Sequence, residues 1–362
     1  MDQRNNDARP DAAAPFGPDR PVFIIGEAGS NWRAGNLGGD EERAYELIDV
    51  AAGAGCDAVK FQVFRAETIY APGAGTSDYL SEAGIKEDIL DIIGGLEIPY
   101  EMLAGLSSRA AERGLEFMAT AFSVADARAV DPYVRVHKTA SYELNHLRLL
   151  EFLATTGKPL IMSTGAATYA DIQRAVDLVR ASSDAPIALL QCTAAYPAPP
   201  EAVNVRAIPR LAEMFGVQAG LSDHSRDPLA APAAAVALGA RVVEKHFTLD
   251  RNLPGPDHAY AVEPDELAAM VRIIREVEKM RGTGEKKTQE AEEELRHYGV
   301  RGIQAIRRVA AGDVLREGEN VDILRPGKNP PGMNPFEIGR VEGRRATRDI
   351  PAGDGILEGD FD

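Results

Sequence analysis

Basic residues are in short supply here: 40 Lys and Arg stand against 56 Asp and Glu in 362 residues, a formal net charge of −16. That balance argues against a surface built for nucleic acid or an anionic membrane, either of which needs a basic face. It leaves an anionic small molecule open, because a pocket can be locally cationic inside an acidic protein. Cysteine is scarcer still, with two in the chain. Cys56 follows a helical pattern and Cys192 lies in a strand pattern, so no disulfide is expected, and the usage suits a reducing cytoplasm. No apolar run approaches the ~20 residues of a membrane span. Met1–Pro21 is polar and rich in Pro, Ala and Asp with no apolar centre. This is not the pattern of a secretory signal, and residues 1–20 read as a disordered lead-in.

What is present is a long alternation. Short apolar, β-branched runs begin at Val22 and recur: Val22–Gly26, Ala58–Phe64, Leu115–Thr120, Tyr133–Lys138, Pro159–Ser163, Ile187–Cys192, Gly216–Ser222 and Arg241–His246. Helical patterns lie between them, clearest at Glu41–Ala54, Tyr100–Arg113, Asn145–Thr156, Tyr169–Ala181 and Pro228–Leu238, and Pro264–Met280 follows the last run. The runs are continuous in apolar character, as in strands covered on both faces. Eight strand–helix units over ~250 residues predict an α/β fold, a (β/α)₈ TIM barrel, over residues 21–282. A doubly wound open sheet usually needs fewer units, and no G-x-G-x-x-G follows the first strand. Residues 283–298 are poor in apolar side chains and read as a linker. Residues 299–362 turn to short strands and turns, with two similar phrases, Arg307–Leu315 (RRVAAGDVL) and Arg348–Leu357 (RDIPAGDGIL). They predict a small β-rich domain of quasi-repeated hairpins.

TIM barrels place their chemistry at the C-terminal ends of the strands. Strand one ends at Glu27; strand two carries Lys60 and Gln62. Strand three ends at Thr120, with Ser123 beyond, and strand four at Lys138, followed by Ser141 and Glu143. Strand five runs into Ser163, Thr164 and Gly165, and strand six into Gln191, Cys192 and Thr193, with Tyr196 next. Strand seven supplies Ser222, Asp223 and His224. Strand eight supplies Glu244 and His246, then a loop with Asp257. Lys, Ser, Thr and Gly converging on one point suit a phosphate and carboxylate dianion. The bland readings stand beside this one. Ser163–Gly165 could be an ordinary strand-to-helix turn with a capping hydroxyl. Lys60 could be a buried lysine paired with Glu27, which is compatible with function. His224 and His246, at equivalent places on neighbouring strands, are candidate ligands of a divalent metal of the Mn, Zn or Fe type. Two protein ligands leave positions for water and substrate. Asp257 is a candidate acid/base or outer-sphere group. His137 and His297 carry no such expectation.

The phrases FIIGEAGSN, DAVKFQ, STG, CTAAYPAP, GLSDHS, VEKHFTLD and GPDH occur in this order and spacing. Together they resemble the sialic acid synthase family, and the tail RGIQAIRRVAAGDVL…RP resembles that family's antifreeze-like SAF domain. The resemblance covers nearly the whole chain from Val22. It implies condensation of phosphoenolpyruvate with an N-acylated hexosamine, N-acetylmannosamine or a related diacetamido sugar, to a nonulosonic acid and phosphate. It implies that Lys60, Lys138, Ser141, Ser163 and Ser222 hold phosphoenolpyruvate; Thr120, at the end of strand three, is a further candidate for substrate binding. Glu27 and Glu143 would lie near the reacting carbons, and Gln62, Tyr196 and Asp257 on the sugar side. His224 and His246 would hold the metal, Mn²⁺ foremost with Mg²⁺ or Co²⁺ as alternatives. It further implies a homodimer in which the SAF domain of one chain covers the partner's barrel and Arg325 reaches the sugar. Four places depart from the family pattern: Asn31-Trp32-Arg33-Ala34, Gln191, Ala140-Ser141-Tyr142-Glu143 and Ala261-Val262. The bulk of Trp32 and Tyr142 would either reshape the sugar pocket or serve packing. The competing readings are another phosphoenolpyruvate or pyruvate aldol-type enzyme on the same barrel and a non-catalytic sugar-binding homologue. The latter would be marked by loss of His224, His246, Lys60 or Glu27, and none is lost.

Overall fold

A computed structural model describes residues 14–35, 37–76 and 87–362. The chain divides into two compact units, Met1–Gly282 and Thr283–Asp362.

The first unit is a closed barrel of eight parallel strands. They are β1 Phe23–Gly29, β2 Ala58–Val63, β3 Glu116–Ala121, β4 His137–Thr139, β5 Leu160–Ser163, β6 Ile187–Cys192, β7 Gln218–Asp223 and β8 Val242–His246. One principal helix follows each: α1 Asp40–Ala54, α2 Met102–Glu112, α3 Val124–Val130, α4 Leu147–Thr155, α5 Tyr169–Arg180, α6 Ala207–Phe215, α7 Ala230–Ala237 and α8 Pro264–Arg281. The expected TIM barrel is therefore the fold, with two elements shifted. β4 is short because Pro132 turns Asp131–Tyr133 into a 3₁₀ turn. β7 starts at Gln218 because Gly216, at φ 60°, caps α6 in the left-handed region that favours glycine.

Strand alternation divides the barrel interior into layers. The lower layers are apolar: Phe23, Ile25, Ala58, Met118, Val136, Ile161, Ala188, Leu190 and Val242 form one buried cluster. Phe16 joins that cluster at 3% exposure. The expected lead-in falls outside the described residues as far as residue 13; from residue 14 it is not a solvated tail, because Phe16 is a core side chain. Two residues further along most of the strands the interior turns polar, at Glu27, Lys60, Thr120, Lys138, Ser163 and Glu244, while β6 places Cys192 there. The opposite strand faces pack on the helices: Val59, Phe61, Val63 and Phe117 lie with Leu47, Ile48, Leu103 and Ile274 in a second buried cluster. Trp32 belongs to this cluster at 2% exposure, so its bulk serves packing.

His137, on the outer face of β4, is buried with its Nε2 3.0 Å from Asp131 Oδ1. Burial pushes its imidazole down to about 4, against the pull of Asp131. The unfolded chain therefore takes up this proton first as the pH falls. The stability it contributes is full above 6.5 and lost toward 4, up to roughly 3 kcal/mol. His137→Gln is expected to flatten the fall of Tm between pH 6.5 and 4, measured by thermal denaturation; an unchanged slope would refute the assignment.

The second unit opens with a turn at Glu290–Glu292 and helix α9, Glu293–Gly299, none of whose residues is buried. Residues 283–298 thus include a helix where a linker was expected; without an apolar face it leaves no periodic signal. Strands β9 Gly302–Ala305 and β10 Val321–Leu324 pair antiparallel. The two similar phrases also lie on one another. Val309 and Ile350 exchange both backbone hydrogen bonds, at 2.9 and 2.8 Å. The matching Gly312 and Gly353 both turn the chain at positive φ, 89° and 91°. Leu315 and Ile356 enter the same small core.

Candidate active site

The upper interior layer of the barrel is built from charge. Glu27, Lys60, Lys138 and Glu244 are each 4% exposed or less. Lys60 Nζ lies 2.5 Å from Glu27 Oε2 and 3.8 Å from Glu244 Oε2, and donates to Thr120 Oγ1 at 2.7 Å. Lys138 Nζ donates to Ser163 Oγ at 2.7 Å and lies 3.7 Å from Glu244 Oε1, which accepts from Ser222 Oγ at 3.1 Å. Glu244 is thus the anion between two buried ammonium groups. Burial alone would raise its carboxyl, but Lys138 and Lys60 outweigh it and hold it down at about 2. Glu27 goes the other way. Burial, aided by the charge of Glu244, raises its carboxyl to about 7 although Lys60 opposes this. Burial likewise lowers Lys138, against the pull of Glu244.

Above this layer stand the remaining groups. Gln62 Nε2 donates to Glu27 Oε1 at 3.2 Å. Ser141 Oγ accepts from the Gly165 N–H at 2.9 Å. A side chain at position 165 would place its Cβ 2.8 Å from that oxygen, so glycine is needed for the approach. Glu143 is 8% exposed, its Oε2 buried without a hydrogen-bond partner, and burial raises it to about 7. Glu244 Oε2 is also buried without a hydrogen-bond partner. Buried carboxylate oxygens in this condition mark a place where water or a ligand is expected. Tyr142, beside Glu143, is 61% exposed.

His224 and His246 are both 6% exposed, with ring centroids 5.5 Å apart. Two imidazoles on one ion, with metal–nitrogen bonds of ~2.1 Å, sit at about this separation. His224 Nδ1 is 2.8 Å from the Thr193 carbonyl, which places a proton on Nδ1 and makes Nε2 the nitrogen open to a ligand; burial lowers this imidazole, but Cys192 and the Thr193 carbonyl raise it on balance. Burial pushes His246 down to about 3, against Asp257, so it is neutral and able to ligate. Asp257 Oδ2 lies 3.9 Å from His246 Nδ1 and accepts from Ser30 Oγ at 3.0 Å. Tyr196 stacks on His224 with centroids 4.2 Å apart, and Tyr260 is 5.3 Å from both Tyr196 and His246. Cys192 Sγ is 3.8 Å from His224 Nδ1. Among the described residues no three His, Cys, Asp or Glu side chains form a cation cage. The His224–His246 pair is a donor set of two imidazole nitrogens, which would leave positions on an ion for water and substrate.

Every expected site residue of the first unit reaches this end of the barrel. Arg325 follows β10 on the second unit and is exposed. Several polar residues counted at the strand ends do not face the interior. Thr164 Oγ1 donates to the Leu190 carbonyl, Gln191 Nε2 to that of Val203 and Thr193 Oγ1 to that of Ala202. Ser123 caps α3, and Asp223 pairs with Lys245. Glu244 is among the strand-end residues but carries no expected role, and the structure puts it at the centre of the layer. The signal for it was parity: two residues apart on one strand, Glu244 and His246 share the interior face.

Comparison with known proteins accords with this geometry. The NeuB family model matches residues 47–286 and the SAF domain model residues 300–362. The spore coat polysaccharide biosynthesis protein SpsE of Bacillus subtilis is 41% identical, with 95% of each chain covered. The N,N'-diacetyllegionaminic acid synthase of Legionella pneumophila is 35% identical, again over 95% of each chain. The crystal structure of N-acetylneuraminic acid (sialic acid) synthetase from Leptospira borgpetersenii in complex with citrate superposes with a TM-score of 0.69 at 33% identity, covering 78% of this chain and 93% of that one. With relatives of this identity along nearly its whole length, the chain belongs to the NeuB family and carries a C-terminal SAF domain.

Proposed function

We propose that the barrel condenses phosphoenolpyruvate with an open-chain N-acylated hexosamine, N-acetylmannosamine or a related diacetamido sugar, giving a nonulosonic acid and inorganic phosphate. The observation that carries this reading is the buried layer of Lys60, Lys138, Ser163 and Ser222 beside the His224–His246 pair. It stands in a chain whose relatives include a synthase of N,N'-diacetyllegionaminic acid.

In this reading Lys60 and Lys138 bind the phosphate and carboxylate of phosphoenolpyruvate. Thr120, Ser141, Ser163 and Ser222 orient them through hydroxyl hydrogen bonds. C3 of phosphoenolpyruvate forms the new bond to the sugar C1, water adds at C2, and phosphate leaves with cleavage of its C–O bond. Glu27 and Glu143, with carboxyls near 7, accept and return the proton of that water at neutral pH. Gln62, Tyr196 and Asp257 position the sugar. A divalent ion at His224 and His246, Mn²⁺ foremost with Mg²⁺ or Co²⁺ as alternatives, supplies Lewis-acid polarisation of the aldehyde oxygen when bound. The compartment is the cytoplasm, where the free and buried Cys56 and Cys192 stay reduced. No helix among the described residues is long and apolar enough to cross a membrane.

The test is incubation with phosphoenolpyruvate, Mn²⁺ and a panel of N-acylated hexosamines, 6-phosphates and diacetamido-trideoxyhexoses. Phosphate release and product mass are scored. Phosphate release coupled to sugar consumption separates this reaction from a pyruvate aldol; no turnover with any sugar overturns it.

The working unit in this reading is a homodimer with the SAF domain of one chain over the partner's barrel and Arg325 at the sugar. Arg325→Ala is expected to raise KM for the sugar by about 10–100-fold, the worth of one hydrogen bond to a charged group. Phosphoenolpyruvate affinity should stay unchanged. Unaltered sugar kinetics would remove the cross-subunit lid.

A further inference from the structure

The outer faces of β7 and β8 carry a second buried ion pair that the chemistry above does not use. Asp223 and Lys245 face each other across the ladder. They alternate with Ser222 and His224 on one strand and with Glu244 and His246 on the other, and so point away from the barrel interior. Lys245 Nζ is 2.6 Å from Asp223 Oδ2, and the two residues are 1% and 2% exposed. The same ammonium donates to the Ser225 carbonyl and, at 3.2 Å, to that of Asp227. Asp223 Oδ1 accepts from Ser225 N at 2.8 Å, and its Oδ2 from Ser225 Oγ at 3.0 Å.

His224 is therefore bracketed. The residues before and after it are both tied to the residue that precedes His246. This matters because the two histidines are not equally held by the ladder. His246 is registered against Glu27 of β1. The ladder between β7 and β8 ends at Asp223 and Lys245, leaving His224 one residue beyond it. A buried ion pair adds little net stability over apolar side chains of the same volume. Its effect is geometric, fixing where His224 begins relative to His246.

We propose that Asp223 and Lys245 are a positioning pair that sets the spacing of His224 and His246 for a divalent cation. The inference rests on the metal reading given under the proposed function. Neither residue touches the cation; each acts through the histidine beside it.

The test uses Asp223→Leu/Lys245→Met, which removes both charges together and leaves no buried charge alone. Mn²⁺ affinity is read from the electron paramagnetic resonance signal of free Mn²⁺, the fold from circular dichroism and Tm, and phosphoenolpyruvate affinity by calorimetry without metal. The expected result is a folded variant with phosphoenolpyruvate affinity retained and Mn²⁺ bound about 10–100-fold more weakly. A folded variant that binds Mn²⁺ as tightly as the unaltered protein overturns the proposal. If the double variant does not fold, Asp223→Asn takes its place, since it keeps an acceptor for the Ser225 N–H and loses the charge. Weaker Mn²⁺ binding there supports the positioning role; equal binding overturns it. An unaltered protein that binds neither Mn²⁺ nor Co²⁺ overturns the metal reading itself, and the positioning role with it, which is a different result from tight binding that the variants leave untouched.

Discussion

Lys60→Met is expected to yield a protein that is weakly stable at pH 8, recovers at pH 5, and uses phosphoenolpyruvate about 10²–10³-fold less efficiently in kcat/KM. The stability effect follows from the charge pattern. Lys60 is the cation 2.5 Å from Glu27 and one of two beside Glu244. Removing it leaves one buried ammonium for two buried carboxylates, and breaking a buried pair on one side costs about 3–5 kcal/mol.

The pH dependence gives the effect its signature. Glu27 is already raised from 4.5 to about 7 with Lys60 present and pulling it down. Without Lys60 it rises further. The unaltered folded protein keeps that proton only up to about 7 while the folded variant keeps it to higher pH, so the deficit relative to the unaltered protein is small below about 7 and grows above it. Glu27→Gln in the same chain should restore most of the stability, since it removes the unpaired charge, and none of the activity, since the phosphoenolpyruvate cation is still missing. Tm measured from pH 5 to 8 and steady-state kinetics on the single and double variants check this. A Lys60→Met protein with unchanged kcat/KM would remove Lys60 from the substrate site. A deficit independent of pH would remove the Glu27 partnership.

The barrel was legible in the sequence because both faces of its strands are covered and the apolar runs are therefore continuous. The candidate site was legible as a place because polar residues break those runs at their C-terminal ends. Position at a strand end does not by itself place a residue in the site; the side on which the side chain emerges decides it. Thr164, Gln191 and Asp223 stand at strand ends, yet each alternates with an interior residue and spends its polar group on the scaffold. Glu244 stands at a strand end as well, and parity puts it in the interior layer between Lys60 and Lys138. Phe16 shows another limit. A single aromatic in a polar stretch carries no periodicity, and only the closed barrel provides the cavity that takes it. The geometry of the second unit was signalled by its repeat, since two phrases of one pattern can pair on each other, as Val309 and Ile350 do.

His246→Ala is expected to lower metal-dependent turnover by about 10³-fold or more and to leave the protein folded. Lewis-acid polarisation of a carbonyl is worth several kcal/mol of transition-state stabilisation, and about 4 kcal/mol is a factor of 10³ in rate. The histidine is well suited to the role because burial pushes it down to about 3, so no proton competes for its lone pair at neutral pH. The same fact makes the substitution mild for folding: a neutral ring leaves, no counter-charge is stranded, and the remaining cost is a cavity beside Tyr260 and Tyr196. Tm should therefore move little while Mn²⁺ binding falls by at least ~10²-fold, more than outer-sphere substitutions usually cause. Phosphoenolpyruvate should still bind, since Lys60 and Lys138 are untouched. Turnover with a saturating sugar, the free Mn²⁺ resonance signal and phosphoenolpyruvate calorimetry, measured on one preparation, separate these effects. Full activity with unchanged Mn²⁺ binding in a folded His246→Ala protein would reduce the His224–His246 contact to aromatic packing under Tyr196. The condensation would then have to run on the lysine layer and the two raised carboxyls alone.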